Sequence, residues 1–369
     1  MTLLLFLFHF FVDWASSFPT PLGPYIVEHY GLSAKTVAVT IIFLGFFGSL
    51  IQPLFALFAP RLKNPFWGLY LALSCVALAL FGLSFSFSFA FLFVAFLLLF
   101  LANAFFHPLG AALSGSRGEV RGVALFTAGG IAGGAVGPLF VTWFVTHFPL
   151  SRLMFITLVV WLVLSLYFFR RSNDEAPTFP RGTFSLRLFL PLFAVWFLVG
   201  IRTFFTSLFH TFLPLYVTSF SPLFVGGMLL SLGVLVGFFA NFLGAHLAER
   251  MPNRLLNFLS FIGLGVGLFF LPTTKYLLLI TFFALFADFS AFLTMSANVH
   301  EAQKILPEHR VFASSVAMGL AWAFGNLLSL LFSGLFGDDV IFVLRTGGII
   351  GMGFAGLLLV PSWKPKKGG

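Results

Sequence analysis

Residues 89–102 read FAFLFVAFLLLFLA, a run without a single charged or polar side chain. Apolar and polar positions do not alternate in it, whereas a strand of a membrane barrel alternates over about 10 residues. Apolar stretches of roughly 20 residues, the length of a bilayer-spanning helix, recur along the chain. The 369 residues are 60% hydrophobic with a mean hydropathy of +1.06, whereas soluble domains lie nearer about 45–50% apolar. The sequence therefore predicts an all-α membrane protein.

The polar stretch 171–187 is the single connection that reads as a linker between domains, because all other loops are short. It divides the chain into an N-terminal six-helix bundle (1–170) and a C-terminal six-helix bundle with a short basic tail (188–369). Short loops make neighbouring helices antiparallel. The twelve predicted transmembrane helices cover residues 3–28, 36–59, 65–84, 88–114, 120–146, 151–170, 188–216, 221–246, 254–272, 274–299, 309–336 and 339–361.

The two halves repeat one another at a constant offset in residue number. Matches between charged or amide residues are the informative ones, since only 8% of the residues are charged. A duplicated hydrophobic unit is typical of transporters, whose halves are pseudo-symmetric. The matching pairs are Gly48 and Gly237, Arg61 and Arg250, Asn64 and Asn253, Arg121 and Arg310, Ala124 and Ala313, and Gly130 and Gly319.

The basic residues predict the orientation. Most of the 20 Lys and Arg residues flank the helix ends on the side of both termini, and the positive-inside rule places that side in the cytoplasm. We therefore expect a multi-pass protein of the cell inner membrane. The net charge of +9 is spread over loop anchors that contact lipid, which argues against nucleic-acid binding. The single cysteine, Cys75, excludes an internal disulfide and a structural zinc site. We expect a monomer without metal or cofactor.

Ionisable residues inside the predicted helices are few. A charge in mid-membrane costs at least ~2.5–3.5 kcal/mol, so it usually faces a cavity or a partner. Five of these ionisable residues fall on the first, fourth, seventh and tenth predicted helices. In a transporter built of two six-helix bundles, these helices line the central cavity. The five residues are Asp13, His107, Arg202, His210 and Asp288.

His9 and Asp13 are spaced i,i+4, so they share one helix face and can form a hydrogen bond. An imidazole changes its charge near neutral pH, and together with a carboxylate it can hold and release a proton. We predict proton coupling at this pair. The alternatives are a static polar pair, or a histidine that binds a carbonyl of a neighbouring helix.

Asn103 and His107 repeat the i,i+4 spacing and are followed by Pro108, which removes a backbone donor and loosens the helix. The alternative is a packing kink with one interhelical hydrogen bond. Arg202 occupies the slot that corresponds to Asp13 in the repeat. It can pair with Asp13, with Asp288, or with a carboxylate or phosphate of a substrate. A structural ion pair is the remaining alternative. We assign substrate binding to Asn103, His107, Arg202, His210 and Asp288.

Two further patterns concern packing and gating. Gly133-x-x-x-Gly137-Pro138 allows two helices to approach closely, and it resembles the fifth-helix antiporter signature of major facilitator exporters, although no glycine pair follows Pro138. Simple close packing is the alternative. The stretch Ala245 to Arg254 resembles the loop signature of the same superfamily. Its counterpart in the first half has Pro60 where an acid is expected, so Arg61 and Arg250 are the candidate gating residues.

Several motifs together are similar to the fosmidomycin-resistance branch of the major facilitator superfamily. One departure is Leu109, where an acidic residue is common in that branch. The resemblance implies the major facilitator fold and a proton-driven efflux antiporter for a small anionic or amphipathic compound. The motifs are His9-x-x-x-Asp13, Pro21-Leu-Gly-Pro24, Gly31-Leu-Ser33, Gln52-Pro53, Phe106-His107-Pro108 with Gly110, Leu306-Pro307 before Arg310, and Ala313-Ser314.

Other functions are compatible with parts of the pattern. A symporter or uniporter of an anionic metabolite differs in the direction in which a proton gradient drives the substrate. A membrane-embedded enzyme lacks support, because the sequence has no nucleophile elbow, paired-histidine metal motif or carboxylate cluster. A scaffold or lipid scramblase would not need Asp13 and Arg202 inside the membrane.

Overall fold

The computed structural model describes residues 2–58, 62, 64–115, 120–171 and 186–359. Sixteen helical segments make up the described ranges, joined by short turns and four single 3-10 turns, with a π-helical turn between α14 and α15. In the first half they are α1 (Thr2–Ser16), α2 (Gly23–Tyr30), α3 (Ala34–Phe58), α4 (Pro65–Leu83), α5 (Phe89–Gly115), α6 (Val120–His147) and α7 (Leu153–Arg171). In the second half they are α8 (Leu186–Phe189), α9 (Phe193–Val217), α10 (Leu223–Ala248), α11 (Asn253–Phe270), α12 (Leu277–Phe292), α13 (Met295–Ile305), α14 (Arg310–Ser315), α15 (Ala321–Phe336) and α16 (Val340–Leu359).

Within the described residues, eleven helices are long and apolar enough to cross a membrane, and α1 adds a shorter apolar helix. Large apolar side chains point outward from them, with Leu78 59%, Phe155 61% and Leu278 82% exposed. A soluble protein would bury most of these side chains, whereas in a bilayer they contact lipid and the helices satisfy their own backbone polar groups. The all-α membrane architecture is confirmed.

The first predicted helix, 3–28, is interrupted after Ser16. Prolines at positions 19, 21 and 24 remove three backbone donors in six residues, so the chain turns and restarts as α2. Gly31 then ends α2 with φ +64, a left-handed conformation that glycine adopts without strain. Asn64 begins α4 by accepting a 2.9 Å hydrogen bond from the Phe66 amide, a typical N-cap.

Two helices of the second half also differ from the prediction. The predicted helix 274–299 is divided into α12 and α13 at Leu293 and Thr294, and it continues to Ile305. Residues 288–298 contain no proline or glycine, so the sequence gives no sign of the break. The helix predicted at 309–336 contains a π-helical turn at Val316–Leu320, a feature frequent at functional sites.

The apolar core follows the two halves. One cluster of buried residues runs from Leu4 to Phe168, and another is built mostly from residues between Phe204 and Ala355. Contacts between the halves are made by α3 against α15 and by α6 against α10. At one of them the Leu139 amide donates to Ser231 Oγ at 3.0 Å. Lys35 Nζ and Asp338 Oδ2, 2.9 Å apart, join the halves at an exposed position.

Candidate functional site

A polar cluster lies between α1 and α5. His9 Nε2 is 3.1 Å from Asp13 Oδ2, as the i,i+4 spacing on α1 predicts. His107 on α5 places its Nε2 3.3 Å from Asp13 Oδ1 and 3.1 Å from His9 Nε2. Asn103, one turn earlier on α5, donates to Asp13 Oδ1 at 3.2 Å and to Ser16 Oγ at 2.9 Å. The two i,i+4 pairs therefore form one group of side chains.

The hydrogen bonds of the two histidines decide how many protons this cluster holds. His9 Nδ1 lies 2.7 Å from the Phe126 carbonyl oxygen, and His107 Nδ1 lies 3.0 Å from the Asn103 carbonyl oxygen. Carbonyl oxygens only accept, so each Nδ1 carries a hydrogen. If both imidazoles were neutral, the Nε2 atoms of His9 and His107 would carry no hydrogen. Their lone pairs would then face each other and the carboxylate of Asp13, which is repulsive. The 3.1 Å contact between His9 Nε2 and His107 Nε2 therefore requires one additional proton in the cluster.

The side chains of His9, Asp13 and His107 also have a spacing that a divalent metal ion accepts. Their ligand atoms lie within 4.8 Å of one another, and two histidines with one carboxylate are a known ligand set. His9 and His107 are 98 residues apart in sequence, so no short motif could have predicted the group. Adding a chelator in a transport assay separates a bound metal ion from a bound proton.

The helix α6 supports this cluster through its glycines. A Cβ atom on Gly130 would lie 2.5 Å from His9 Nε2 and 2.6 Å from Asp13 Oδ2, so only glycine leaves room for the pair. Gly133 packs against the Phe10 carbonyl and the Trp14 amide, and Gly137 packs against Trp14 and Ser17. The predicted packing glycines thus hold α6 directly against the backbone of α1.

Pro138 serves another contact. Its carbonyl oxygen accepts a 2.8 Å hydrogen bond from Thr142 Oγ1 and lies beside Gly227 of α10, where the two halves meet. The other two predicted gating residues are Arg250, which lies exposed in the turn after α10, and Arg61, which lies outside the described residues.

A cavity of about 300 Å³ lies between the halves. One wall is a polar stripe on α9 that begins at Arg202, continues through Thr206 and Ser207, and ends at His210. The facing side chains are mostly apolar, so the cavity suits a solute with a polar and an apolar part. The remaining lining residues are Thr20, Ile41, Ile42, Gly45, Phe100, Thr203, Thr211, Ala291, Phe292, Met295, Trp322 and Asn326.

Arg202 is 7% exposed and lines this cavity. Its Nη1 donates to the Ala291 carbonyl oxygen at 3.2 Å, and its Nε has no hydrogen-bond partner among the residues that the structure describes. The sequence allows two ion pairs for Arg202, one with Asp13 and one with Asp288. Among the described residues neither carboxylate lies within 4.0 Å of the guanidinium, so neither ion pair is present in the structure. The guanidinium thus lies at the cavity without an anionic partner.

His210 and Asp288 form a contact of their own. Asp288 is fully buried on α12, and its Oδ1 lies 2.6 Å from His210 Nε2. Asp288 does not line the cavity, whereas His210 does. Asn103 and His107 also lie away from the cavity wall, beside Asp13. Of the five residues assigned to substrate binding, the fold brings Arg202 and His210 to the cavity. A second cavity of about 340 Å³, bounded by α9, α15 and α16, has only apolar residues in its walls.

The comparisons with known proteins agree with this architecture. The family model of the major facilitator superfamily matches residues 5–330. The chain belongs to the major facilitator superfamily. Its members are transporters, which also accounts for the absence of enzyme motifs. No curated protein matches the sequence.

Solved structures share this superfamily's fold with the chain. A POT peptide transporter in complex with sulfate is 13% identical, with a TM-score of 0.81, and the match covers 97% of this chain and 93% of the other. The nucleoside transporter NupG (D323A mutant) is 15% identical, with a TM-score of 0.76 and 97% of both chains covered. A bacterial homologue of the human lysosomal transporter Spinster is 15% identical, with a TM-score of 0.70 and 97% and 94% covered. At these identities the likeness concerns the fold alone.

Proposed function

We propose that this chain is a secondary transporter of the cell inner membrane that exports a small anionic or amphipathic compound in exchange for protons. Both termini lie in the cytoplasm. The bundles formed by residues 1–170 and 188–369, joined by the linker 171–187, rock about the central cavity and open it to each side in turn. Membership of a transporter superfamily supports the transport activity, and the two polar sites support its coupling.

One observation carries the substrate assignment: Arg202 is buried at the cavity, and no carboxylate of the described residues lies within 4.0 Å of it. A buried cation without an anionic partner is unfavourable. An anionic substrate supplies the missing charge, and a guanidinium binds a carboxylate or a phosphonate through two parallel hydrogen bonds. The apolar wall opposite the α9 stripe accommodates the rest of the molecule. Phosphonate-like compounds are the class we favour, in keeping with the motifs shared with the fosmidomycin-resistance branch.

The cluster of His9, Asp13 and His107 supplies the proton site. Its geometry calls for one additional proton, and its members are titratable side chains on two helices of one bundle. Loss of that proton leaves lone pairs facing each other and a carboxylate, so the cluster separates and α1 shifts against α5. Protonation and substrate binding then favour different arrangements of the bundles, which is the requirement for exchange.

The test is a proteoliposome assay with an imposed pH gradient and a panel of phosphonates and amphipathic drugs. We expect an inwardly directed proton gradient to expel at least one compound. Arg202→Gln should weaken binding of that compound at least tenfold, because a charge-assisted hydrogen bond contributes about 1.5–3 kcal/mol. Arg152→Gln removes an arginine stacked on Phe148, far from the cavity, and should leave transport unchanged.

Three outcomes would contradict the proposal. Accumulation of the compound under the same gradient indicates a symporter. Loss of transport in the presence of a chelator indicates a metal ion in place of the proton at His9, Asp13 and His107. Full activity after neutral substitutions at both Asp13 and Arg202 indicates a scramblase or scaffold.

A further inference from the structure

The pair formed by His210 and Asp288 lies in the other half of the chain from the cluster around Asp13. Asp288 is 0% exposed, and His210 is its only hydrogen-bond partner within the described chain. Its second oxygen, Oδ2, is buried without a partner. Gly233 of α10 faces this oxygen so closely that any Cβ there would collide with it. The carboxylate is therefore enclosed and held by one imidazole.

The surroundings of the pair contain little charge to balance an ionised carboxylate. An ionised carboxylate away from water is strongly unfavourable unless it is neutralised and hydrogen-bonded. Arg202 shares the cavity with His210 and does not reach Asp288 within 4.0 Å. The helix α15 contributes no titratable side chain. The titratable groups on the other helices packed against α9 and α12 lie toward the ends of those helices: Tyr25, Glu28, His29, Tyr30, Lys35, His246, Arg254, His300, Glu301, Lys304 and Arg345.

No Lys or Arg of the described residues lies within 4.0 Å of Asp288. The pair is therefore neutral only when it holds one proton more than a carboxylate with a neutral imidazole. The 2.6 Å contact between His210 Nε2 and Asp288 Oδ1 is short, as expected for a charge-assisted hydrogen bond. His210 also lines the cavity and is about one third exposed there. A proton can thus reach the imidazole from the cavity, while Asp288 lies behind it and fixes the charge.

We propose that His210 and Asp288 form a second proton-binding site, and that a proton bound there adds a positive charge to the cavity wall that favours binding of the anion. Arg202 and His210 are eight residues apart on α9, about 12 Å along the helix axis, so their charges act at the two ends of the α9 stripe. Bound proton and bound anion stabilise each other, since linkage between two ligands is reciprocal. The part that concerns the anion rests on the proposed function, whereas the proton site does not.

The first experiment needs no substrate. Protein labelled with ¹⁵N-histidine is purified in detergent, and the ring nitrogens of its 8 histidines are observed by NMR at about pH 7.5, with His210→Gln identifying the signal. We expect both ring nitrogens of His210 to carry hydrogens, and the signal of the exposed His147 serves as an internal reference. Asp288→Asn should convert His210 to a neutral tautomer, and Asp339→Asn, which removes an aspartate at the start of α16, should not.

A neutral His210 in the wild-type protein at this pH overturns the proposal, and so does an Asp288→Asn spectrum identical to that of the wild type. If Asp288→Asn does not fold, the wild-type spectrum alone decides, because the imidazolium is expected there. The second experiment adds methylphosphonate to the same sample. We expect the His210 signals to shift in the wild type and to remain in place in Arg202→Gln. If His210 is an imidazolium whose signals do not shift with methylphosphonate, the coupling to the cavity is rejected and the proton site is retained. Absence of transport in liposomes rejects the proposed function instead.

Discussion

Alanine at position 130 tests whether the geometry around Asp13 governs proton coupling. The new Cβ would lie 2.5 Å from His9 Nε2 and 2.6 Å from Asp13 Oδ2, closer than any carbon approaches such atoms. α6 cannot slide along α1 to avoid this clash, because Gly129 and Gly133 already touch backbone carbonyls of α1. One of the two side chains must therefore turn away, and their 3.1 Å contact is lost.

The size of the effect follows from that contact. A hydrogen bond to a charged group contributes about 1.5–3 kcal/mol, and about 1.4 kcal/mol corresponds to a factor of ten. Gly130→Ala should therefore lower pH-gradient-driven transport about ten- to a hundredfold in proteoliposomes. Substrate binding without a gradient should remain near the wild-type value, since Gly130 does not line the cavity.

The matched control is Gly134→Ala, the same change one turn further along α6, where a Cβ meets no atom within 4 Å. This variant should transport like the wild type. Equal pH dependence in Gly130→Ala and Gly134→Ala would refute the argument, because the contact of His9 with Asp13 would then be irrelevant to coupling.

Two other substitutions address stability and closure. Asn298→Ala removes the donor to Asn257 Oδ1 at 3.0 Å and leaves a buried amide oxygen unpaired, which lowers the free energy of unfolding by about 1–3 kcal/mol. We expect a lower thermal unfolding midpoint in detergent, and an unchanged midpoint would contradict this. Asp338→Asn breaks the ion pair with Lys35, in which the Asp338 side chain is 70% exposed. Exposed pairs contribute about 0–1 kcal/mol, so liposome transport should change less than about fivefold. Complete loss of transport would show that closure depends on this pair.

The sequence predicts most of the helical architecture, because apolar length and local spacing are sufficient for it. The i,i+4 spacing placed His9 beside Asp13 and Asn103 beside His107 on shared helix faces, and the structure has both arrangements. The proton-coupling and substrate roles assigned to these residues stay predictions. Where prolines cluster after Ser16, local chemistry would also have predicted the break between α1 and α2.

Contacts between distant helices could not be predicted. The meeting of His107 with Asp13 depends on how α5 packs against α1, and no local pattern encodes it. The sequence leaves Asp13, Asp288 and a substrate anion open as partners of Arg202, and it does not show that Asp288 is bound by His210. The roles of Gly130 and Gly233 depend on which side chains face them, and the sequence shows only glycines in helices.

The most direct test of the account is the transport of Asp13→Asn in proteoliposomes, measured under a pH gradient and, in parallel, as exchange of the same compound across the membrane without a gradient. Asparagine keeps the size of Asp13 and one acceptor oxygen but cannot ionise. We expect gradient-driven efflux to be lost while exchange persists, because the cavity at Arg202 is intact. Gradient-driven efflux at the wild-type rate would contradict the assignment of proton coupling to this cluster.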